Sequence, residues 1–420
     1  MIDCVYVNVY KEHSVISAAK DRTPLEAQPC VDETLILDRS PLIEGLGIML
    51  QKTDFAWSLS LIGEDQGPKL ATLTADLRRR FSSTGAGKRI TSGFLYLGAE
   101  PALAWANACR DHQHPMMKQS IESFERRWCC IRSALEKKPY HYVSLGPGDG
   151  QKDAVIIRDL RRDNAKLSYV AVDMSMEMLR LGANTLTRHL KLSRSRILSV
   201  QLDFSSPNNV AELRHLLHGL FGEEAILFSL LGNTMANFVD DTELLRMLAE
   251  QLLRPHDKFL LEVATTRQLN DALAQEAAEE YEHSRTFREF ATSALMHSTD
   301  LQIDMDNLLF EGRVESDRAL LMNIIYQNKT GRDIRMTLPD RTSVRFPNED
   351  TIHLCISRKY AEHYLDSLLD KSGVHRESGS HIDFDSTHHN GQFGMDLLLV
   401  TVVPEIARPA QSIAEHIWGK

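Results

Sequence analysis

The sequence is poor in several features that would each point to a class of function. Its 420 residues hold 6 cysteines (Cys4, Cys30, Cys109, Cys129, Cys130 and Cys355), none in Cys-x-x-Cys spacing. That excludes a disulfide framework and argues against a structural zinc site. Cationic residues are in deficit, with 48 Lys+Arg against 58 Asp+Glu and a formal net charge of −10. A nucleic-acid binder draws its affinity from Lys and Arg on phosphates, so no nucleic-acid partner is expected. The densest basic cluster, Arg78-Arg79-Arg80 with Lys88-Arg89, reads as a solvated helix end and its following loop. No apolar run approaches the roughly 20 residues that span a bilayer. The opening MIDCVYVNVYKEH has no basic-then-apolar leader, and no repeat is evident. The expectation is a reduced, soluble, cytoplasmic chain with no membrane partner.

What the chain does have is the composition of a packed protein, with 43% hydrophobic and 25% charged residues. Its length suggests two or three structural units. The first eighty or so residues show little pattern beyond an alternating Val5–Tyr10 and a helical stretch from Lys69 to Phe81, closed by the loop Ser82–Gly87. Pro101–Cys109 and Met117–Lys138 read as helices. From His141 strands alternate with amphipathic helices. Strand signals fall at His141–Leu145, Leu167–Asp173, Ile197–Phe204, Ala225–Leu231 and Lys258–Val263. Between them lie helical stretches at Lys152–Asp163, Met176–Leu190, Asn209–Leu220 and Asp241–Leu253. Short apolar strands joined by such helices predict an α/β fold with a parallel sheet covered on both faces. After Ala264 the alternation stops. A polar helical stretch, Asn270–Leu295, precedes antiparallel strands over Leu308–Ile356. A helix at Ala361–Asp370 and strands near His381–Phe384 and Met395–Val403 would then complete the first sheet. The expected division is an N-terminal extension and helical region over 1–140, a core over 141–265 plus 358–405, and an inserted α+β substrate domain over 266–357.

The chemistry concentrates at the expected strand ends. The first strand runs into Gly146-Pro147-Gly148-Asp149-Gly150, where glycines let the backbone approach a ligand. The second ends in Asp173, an acid placed to accept from ribose hydroxyls. The third ends in Asp203-Phe204, suited to an adenine amino group and ring. The fourth opens into the polar insert Gly232-Asn233-Thr234-Met235-Ala236-Asn237. A nicotinamide dinucleotide needs G-x-G-x-x-G, and here the third glycine falls on Gln151 or Asp153, with Asp149 of the wrong sign for a pyrophosphate. S-adenosylmethionine carries no phosphate and is the favoured cofactor.

The segments LGPGDGQK, VAVDMSMEML, LDF and LLGNTMANF, in this order, resemble the S-adenosylmethionine-dependent histidine Nα-methyltransferase family of ergothioneine biosynthesis. The likeness is good over Tyr142–Ala264, weaker to the C-terminus and poor before Gly93; the G-x-T-x-x-N match, Gly232 to Asn237, is its most specific part. The resemblance implies a Rossmann-like class I methyltransferase sheet. It implies that Gly146, Gly148, Lys152, Asp173, Asp203, Phe204 and Gly232 hold the cofactor, and that Asn237 holds the amino-acid part of the substrate. Tyr96, in Phe94-Leu95-Tyr96, matches an aromatic element that reaches the cofactor. His114, before Pro115, stands where the family has a second substrate tyrosine. Ser357 matches the serine of a Glu-x-Ser pair that reads an imidazole, but Cys355 takes the glutamate's place. A thiol is a weak, uncharged hydrogen-bond group, so this departure points away from free histidine.

The expected reaction is methyl transfer to an amino acid or related small amine, with Asn237 and Tyr96 as the catalytic pair. Two other readings keep the fold: a cofactor-binding regulator or scaffold without catalysis, and transfer of another group from the same sulfonium. No metal is expected; His112, His114, His381, His388 and His389 read as loop and turn residues. Cys129-Cys130 read as buried or inert, and Glu276–Arg288 as a solvated helix face.

Overall fold

The computed structural model describes residues 5–9, 43–45, 47–48, 57–61, 69–78, 88–111, 121–190, 196–384 and 391–403. The Ser82–Gly87 loop, Cys4, Cys30, His112, His114, His388 and His389 lie outside them. Strands β1 (Val5–Val9) and β2 (Trp57–Leu61) come first, then helix α1 (Lys69–Arg78) and the short β3 (Lys88–Arg89). A 3-10 turn, Ser92–Tyr96, leads into α2 (Ala99–Ala108) and α3 (Ile121–Ala134). The alternating part opens with β4 (His141–Leu145), α4 (Gln151–Leu160), β5 (Tyr169–Asp173) and α5 (Met176–Leu190). It goes on through β6 (Ile197–Gln201), α6 (Pro207–Phe221), β7 (Ile226–Leu230), α7 (Asp241–Gln251) and β8 (Lys258–Thr266). Next come α8 (Asp271–Glu282), α9 (Arg285–Ser298), β9 (Leu308–Glu315), β10 (Ala319–Gln327), β11 (Ile334–Thr337), β12 (Ser343–Phe346) and β13 (Thr351–Ala361). Helix α10 (Leu365–Lys371) and the hairpin β14 (Val374–Asp383) and β15 (Phe393–Val402) close the described chain.

The central strands lie in the order β1-β2-β6-β5-β4-β7-β8, all parallel. Antiparallel β15 lies beside β8, and β14 pairs with β15. Every residue of β4, β7 and β8 is buried, which explains why they are mainly apolar on both faces: helices cover both sides. Val210 and Leu213 of α6, Leu244 and Leu248 of α7, and Leu365 and Leu368 of α10 pack one face. Trp128 of α3, Ile156 of α4 and Leu179 of α5 pack the other. Ligands in such sheets bind at the carboxyl ends of the strands, where Asp173 and the turn after β4 stand.

β8 outruns β7. Its first half pairs with Leu227–Leu230, while Thr265 and Thr266 pair with Tyr360 and Ala361 at the end of β13. A small sheet, β13-β10-β9, thus branches from the carboxyl end of the large one, and β3 joins it along β13. Strand β13 runs through the 357/358 position without a break. A separate core seats α8 and α9 on this sheet, with Ala277, Phe290, Met322, Ile324 and Phe310 buried together. The polar stretch expected as one solvated helix is two: Ser284 caps α9 at the Phe287 N–H, and Glu280 is buried against Lys359 at 2.7 Å. Cys129 and Cys130, expected buried or inert, are exposed on α3. No helix among the described residues is long and apolar enough to cross a membrane.

Candidate active site

A cleft of about 350 Å³ opens at the carboxyl ends of β4, β5 and β6. Its floor is the turn after β4. Gly146 and Gly148 have φ of 71° and 58°, and a Cβ on Gly148 would meet nothing within 4 Å, so bare backbone faces the cleft there. Asp173 and Asp203 stand on its wall with Phe204, whose ring lies 5.9 Å from Phe238. Backbone bonds tie these ends together: Leu202 N–H donates to Asp173 O at 2.9 Å and Gly146 N–H to Val172 O at 2.8 Å. The Ser205 N–H and hydroxyl both donate to Asp203 Oδ1, at 2.9 and 2.6 Å. The roof comes from the chain between β2 and β4: Asp76 of α1, Arg89 of β3, and Thr91–Gly93. Thr91 is anchored to Asp76 through its N–H at 3.3 Å and its hydroxyl at 2.9 Å.

The polar insert after β7 forms the far wall. Asn233 sits in left-handed backbone at φ 61°, and Thr234–Asn237 make a single 3-10 turn. Two buried ionic groups hold this loop. Glu262 of β8 accepts from Gly232 N–H at 2.7 Å, Arg127 at 2.7 Å and Lys152 at 2.5 Å. Burial alone would raise its pKa, but Lys152 and Arg127 outweigh burial and hold the carboxyl at about 2. Arg358 of β13, only 2% exposed, donates to Phe238 O at 2.5 Å and Val239 O at 3.1 Å, while Glu315 binds its other edge at 2.7 Å.

Behind this wall lies a second, smaller cavity of about 40 Å³, lined by Leu95, Trp105, Tyr281, Phe287, Phe290, Ile324 and Ile356 together with Gly232, Asn233, Cys355 and Ser357. Ser92, Tyr96, Trp105 and Asn237 line both cavities. The Tyr96 ring is fixed edge-on to Trp105 at 5.4 Å and tilted on Phe290 at 5.1 Å. Its enclosed hydroxyl, desolvated and near Cys355, is pushed well above the usual tyrosine range. Burial pushes the Cys355 thiol up to about 12, so it stays neutral. No charged side chain lines this cavity among the described residues.

Of the residues singled out from the sequence, Gly146, Gly148, Asp173, Asp203 and Phe204 meet in the larger cleft; Gly232, Cys355 and Ser357 meet in the smaller cavity. Lys152 lines neither and is engaged with Glu262. Asp149 turns away to cap α4, accepting from Gln151 N–H at 3.1 Å. Sequence reading missed Asp76, Arg89, Trp105, Tyr281, Phe290 and Arg358, which belong to other elements and carry no local motif.

A model of the family described as "Histidine-specific methyltransferase, SAM-dependent" matches residues 74–385. Among curated proteins there is no match. Similar solved structures include the CcbJ methyltransferase from Streptomyces caelestis, 14% identical over 68% of this chain and 90% of that one, with a TM-score of 0.34. A SAM-dependent methyltransferase from Anabaena variabilis is 11% identical over 77% of this chain and 100% of that one, at 0.40. Magnesium protoporphyrin IX methyltransferase from Synechocystis, solved with bound SAH, is 10% identical over 69% and 84%, at 0.33. Likenesses this distant add nothing to what the strand order already shows.

Proposed function

Because the chain belongs to the SAM-dependent, histidine-specific methyltransferase family, we propose that it methylates the amine nitrogen of an amino acid or related small amine. The larger cleft suits S-adenosylmethionine. Its volume lies in the range of small-molecule sites, bare backbone is open at Gly148, and Asp173 and Asp203 give it the sign that attracts a cation. When bound, the cofactor supplies an electrophilic methyl group on a sulfonium. Gly146, Gly148, Asp173, Asp203 and Phe204 are the residues placed to hold it.

The observation that carries this reading is that Tyr96 and Asn237 line both cavities. A group bound in the smaller one would reach the cofactor cleft between them. Asn237 and the neutral Tyr96 hydroxyl orient the acceptor nitrogen through hydrogen bonds, and Trp105 and Phe290 exclude water around it. Such positioning is worth up to roughly 7–11 kcal/mol for ideal alignment. Free histidine is disfavoured as the acceptor: Cys355, kept neutral by burial, stands at the position the resemblance gives to the glutamate that reads an imidazole, and a thiol is a weak hydrogen-bond group.

The test is Asn237→Ala, assayed with labelled cofactor against a panel of amino acids and small amines, with product mass read to establish the transferred group. Methyl transfer should fall by about 100-fold or more, a loss of roughly 3 kcal/mol, while calorimetric affinity for S-adenosylhomocysteine stays within about threefold. Equal activity in the variant overturns the role of Asn237.

A further inference from the structure

Among the described residues that line the larger cleft, Arg89 is the one cation; Asp76, Asp173 and Asp203 are the other charged groups. Its backbone is held from outside the large sheet. Arg89 pairs with His353 of β13, and the Ile90 N–H donates to the His353 carbonyl at 3.0 Å. The side chain is half-buried. Burial, then the nearby charges of Arg358 and Arg313, hold its guanidinium below the ordinary arginine range. Those neighbours locate it within the cleft. Arg358 grips the carbonyls of Phe238 and Val239, and the Phe238 ring lies 5.9 Å from Phe204. Phe204, Phe238 and Val239 all line the cleft. Arg89 therefore belongs to the end of the cleft that holds Asp203 and Phe204, the acid and ring suited to an adenine.

Resting on the methyltransferase reading above, we infer that Arg89 is a further cofactor-binding residue, which holds the purine of S-adenosylmethionine from the roof. The chemistry of the two groups matches. A guanidinium is planar and weakly hydrated, with its donors in the plane. A purine offers an electron-rich face and ring nitrogens that accept, and such a face attracts a cation more strongly where both are desolvated. With Arg358 and Arg313 close by, an uncharged, electron-rich ring is a better neighbour for Arg89 than a second cation, so the sulfonium is not its partner. The cofactor's carboxylate is the other group an arginine could take. It lies at the opposite end of the cofactor from the purine, whereas Arg89 shares its end of the cleft with Asp203 and Phe204. The purine site is thus completed by the chain between β2 and β4, through a strand that touches β13 at two residue pairs, Lys88 with Ile352 and Arg89 with His353.

Calorimetry on the full chain tests this with two probes: S-adenosylhomocysteine, and adenosine, which lacks the amino-acid part. Arg89→Leu should bind both about tenfold or more weakly, and by the same factor. Arg89→Lys should lose only about threefold, since an ammonium keeps the charge without the plane. Thermal melting without ligand reads the fold of each variant; should Arg89→Leu not fold, Arg89→Lys decides, and wild-type affinity for both probes in it overturns the inference. Unchanged affinity for S-adenosylhomocysteine in a folded Arg89→Leu also overturns it. So does a loss that adenosine does not share, which would put Arg89 on the amino-acid part, or a loss confined to the KM of the acceptor. Weaker binding of both probes, with no methyl transfer by the wild type to any amine of the panel, supports the inference and overturns instead the reading as an amine methyltransferase. Failure of S-adenosylhomocysteine to bind the wild type overturns both.

Discussion

On the proposed reading, Tyr96 and Cys355 decide what kind of catalysis the smaller cavity supports. Both are held neutral at working pH by desolvation, the thiol with a pKa of about 12. No carboxylate, lysine or histidine lines the smaller cavity among the described residues. An amine nucleophile therefore has to arrive unprotonated, and kcat/KM should rise tenfold per pH unit up to the amine's own pKa. Tyr96→Phe should lower kcat by roughly 10-fold, about the worth of one neutral hydrogen bond, and leave the shape of that profile unchanged. A plateau reached near pH 7 in the wild type would reveal a base and refute the assignment. At this scale the sequence was readable where a residue's neighbours in the chain are also its partners in space. Asp173 ends its strand, Asp203 stands two residues past one and Asn237 closes the turn that follows another, and their place follows from that. Tyr281 gave no such sign, because its partner Ser357 lies 76 residues away.

The element that shapes the larger cleft is the turn between β4 and α4, and its geometry depends on how closely α5 approaches it. Gly150 has φ of 77°, and a Cβ there would meet the Gly182 carbonyl oxygen at 2.8 Å. Gly150→Ala should therefore cost about 2 kcal/mol or more in urea unfolding, combining left-handed strain with a clash against backbone, and should weaken S-adenosylhomocysteine binding. Gly182→Ala is the control: its Cβ would make ordinary contact at 3.6 Å, and it should stay within about 1 kcal/mol of the wild type. Equal stability of the two variants would show that the close approach does not matter. Strand and helix positions from His141 to Thr266 were legible because buried parallel strands and amphipathic helices write their periods into the chain. The break between α8 and α9 was not, since a polar run such as Glu276–Arg288 looks solvated until Glu280 meets Lys359, 79 residues on.

Across the whole molecule, buried polar groups bind the layers to one another. Asp153, 1% exposed on α4, accepts from Tyr142 of β4 at 2.7 Å, Tyr169 of β5 at 2.5 Å and Ser144 of β4 at 3.2 Å. Burial pushes its carboxyl up to about 6 against the pull of those hydroxyls. The folded state thus binds more protons than the unfolded chain from about pH 4 to 6, so this group's contribution to stability falls as pH rises through that window. Asp153→Asn should remove that fall: its stability relative to wild type should grow from pH 4 to pH 7 by on the order of 3 kcal/mol in urea titrations. A difference that stays constant with pH would refute the shift. Glu262 works in the opposite sense, with stability present above its unfolded pKa and lost as pH falls toward about 2.

By itself the sequence determined the α/β class, the parallel order of strand and helix and the kind of cofactor, since these follow from local period and from the glycine-rich and acidic segments that follow the strands. Only the tertiary structure decided that residues around Asp76 and Arg89 roof the larger cleft, and that Lys152 is tied to Glu262 and does not line it. It alone decided how Asn233, Ser357 and Tyr281 share their hydrogen bonds at the smaller cavity. The reason is physical: a hydroxyl's role depends on which donors and acceptors surround it, and those of Ser357 come from a loop and a helix distant in the chain.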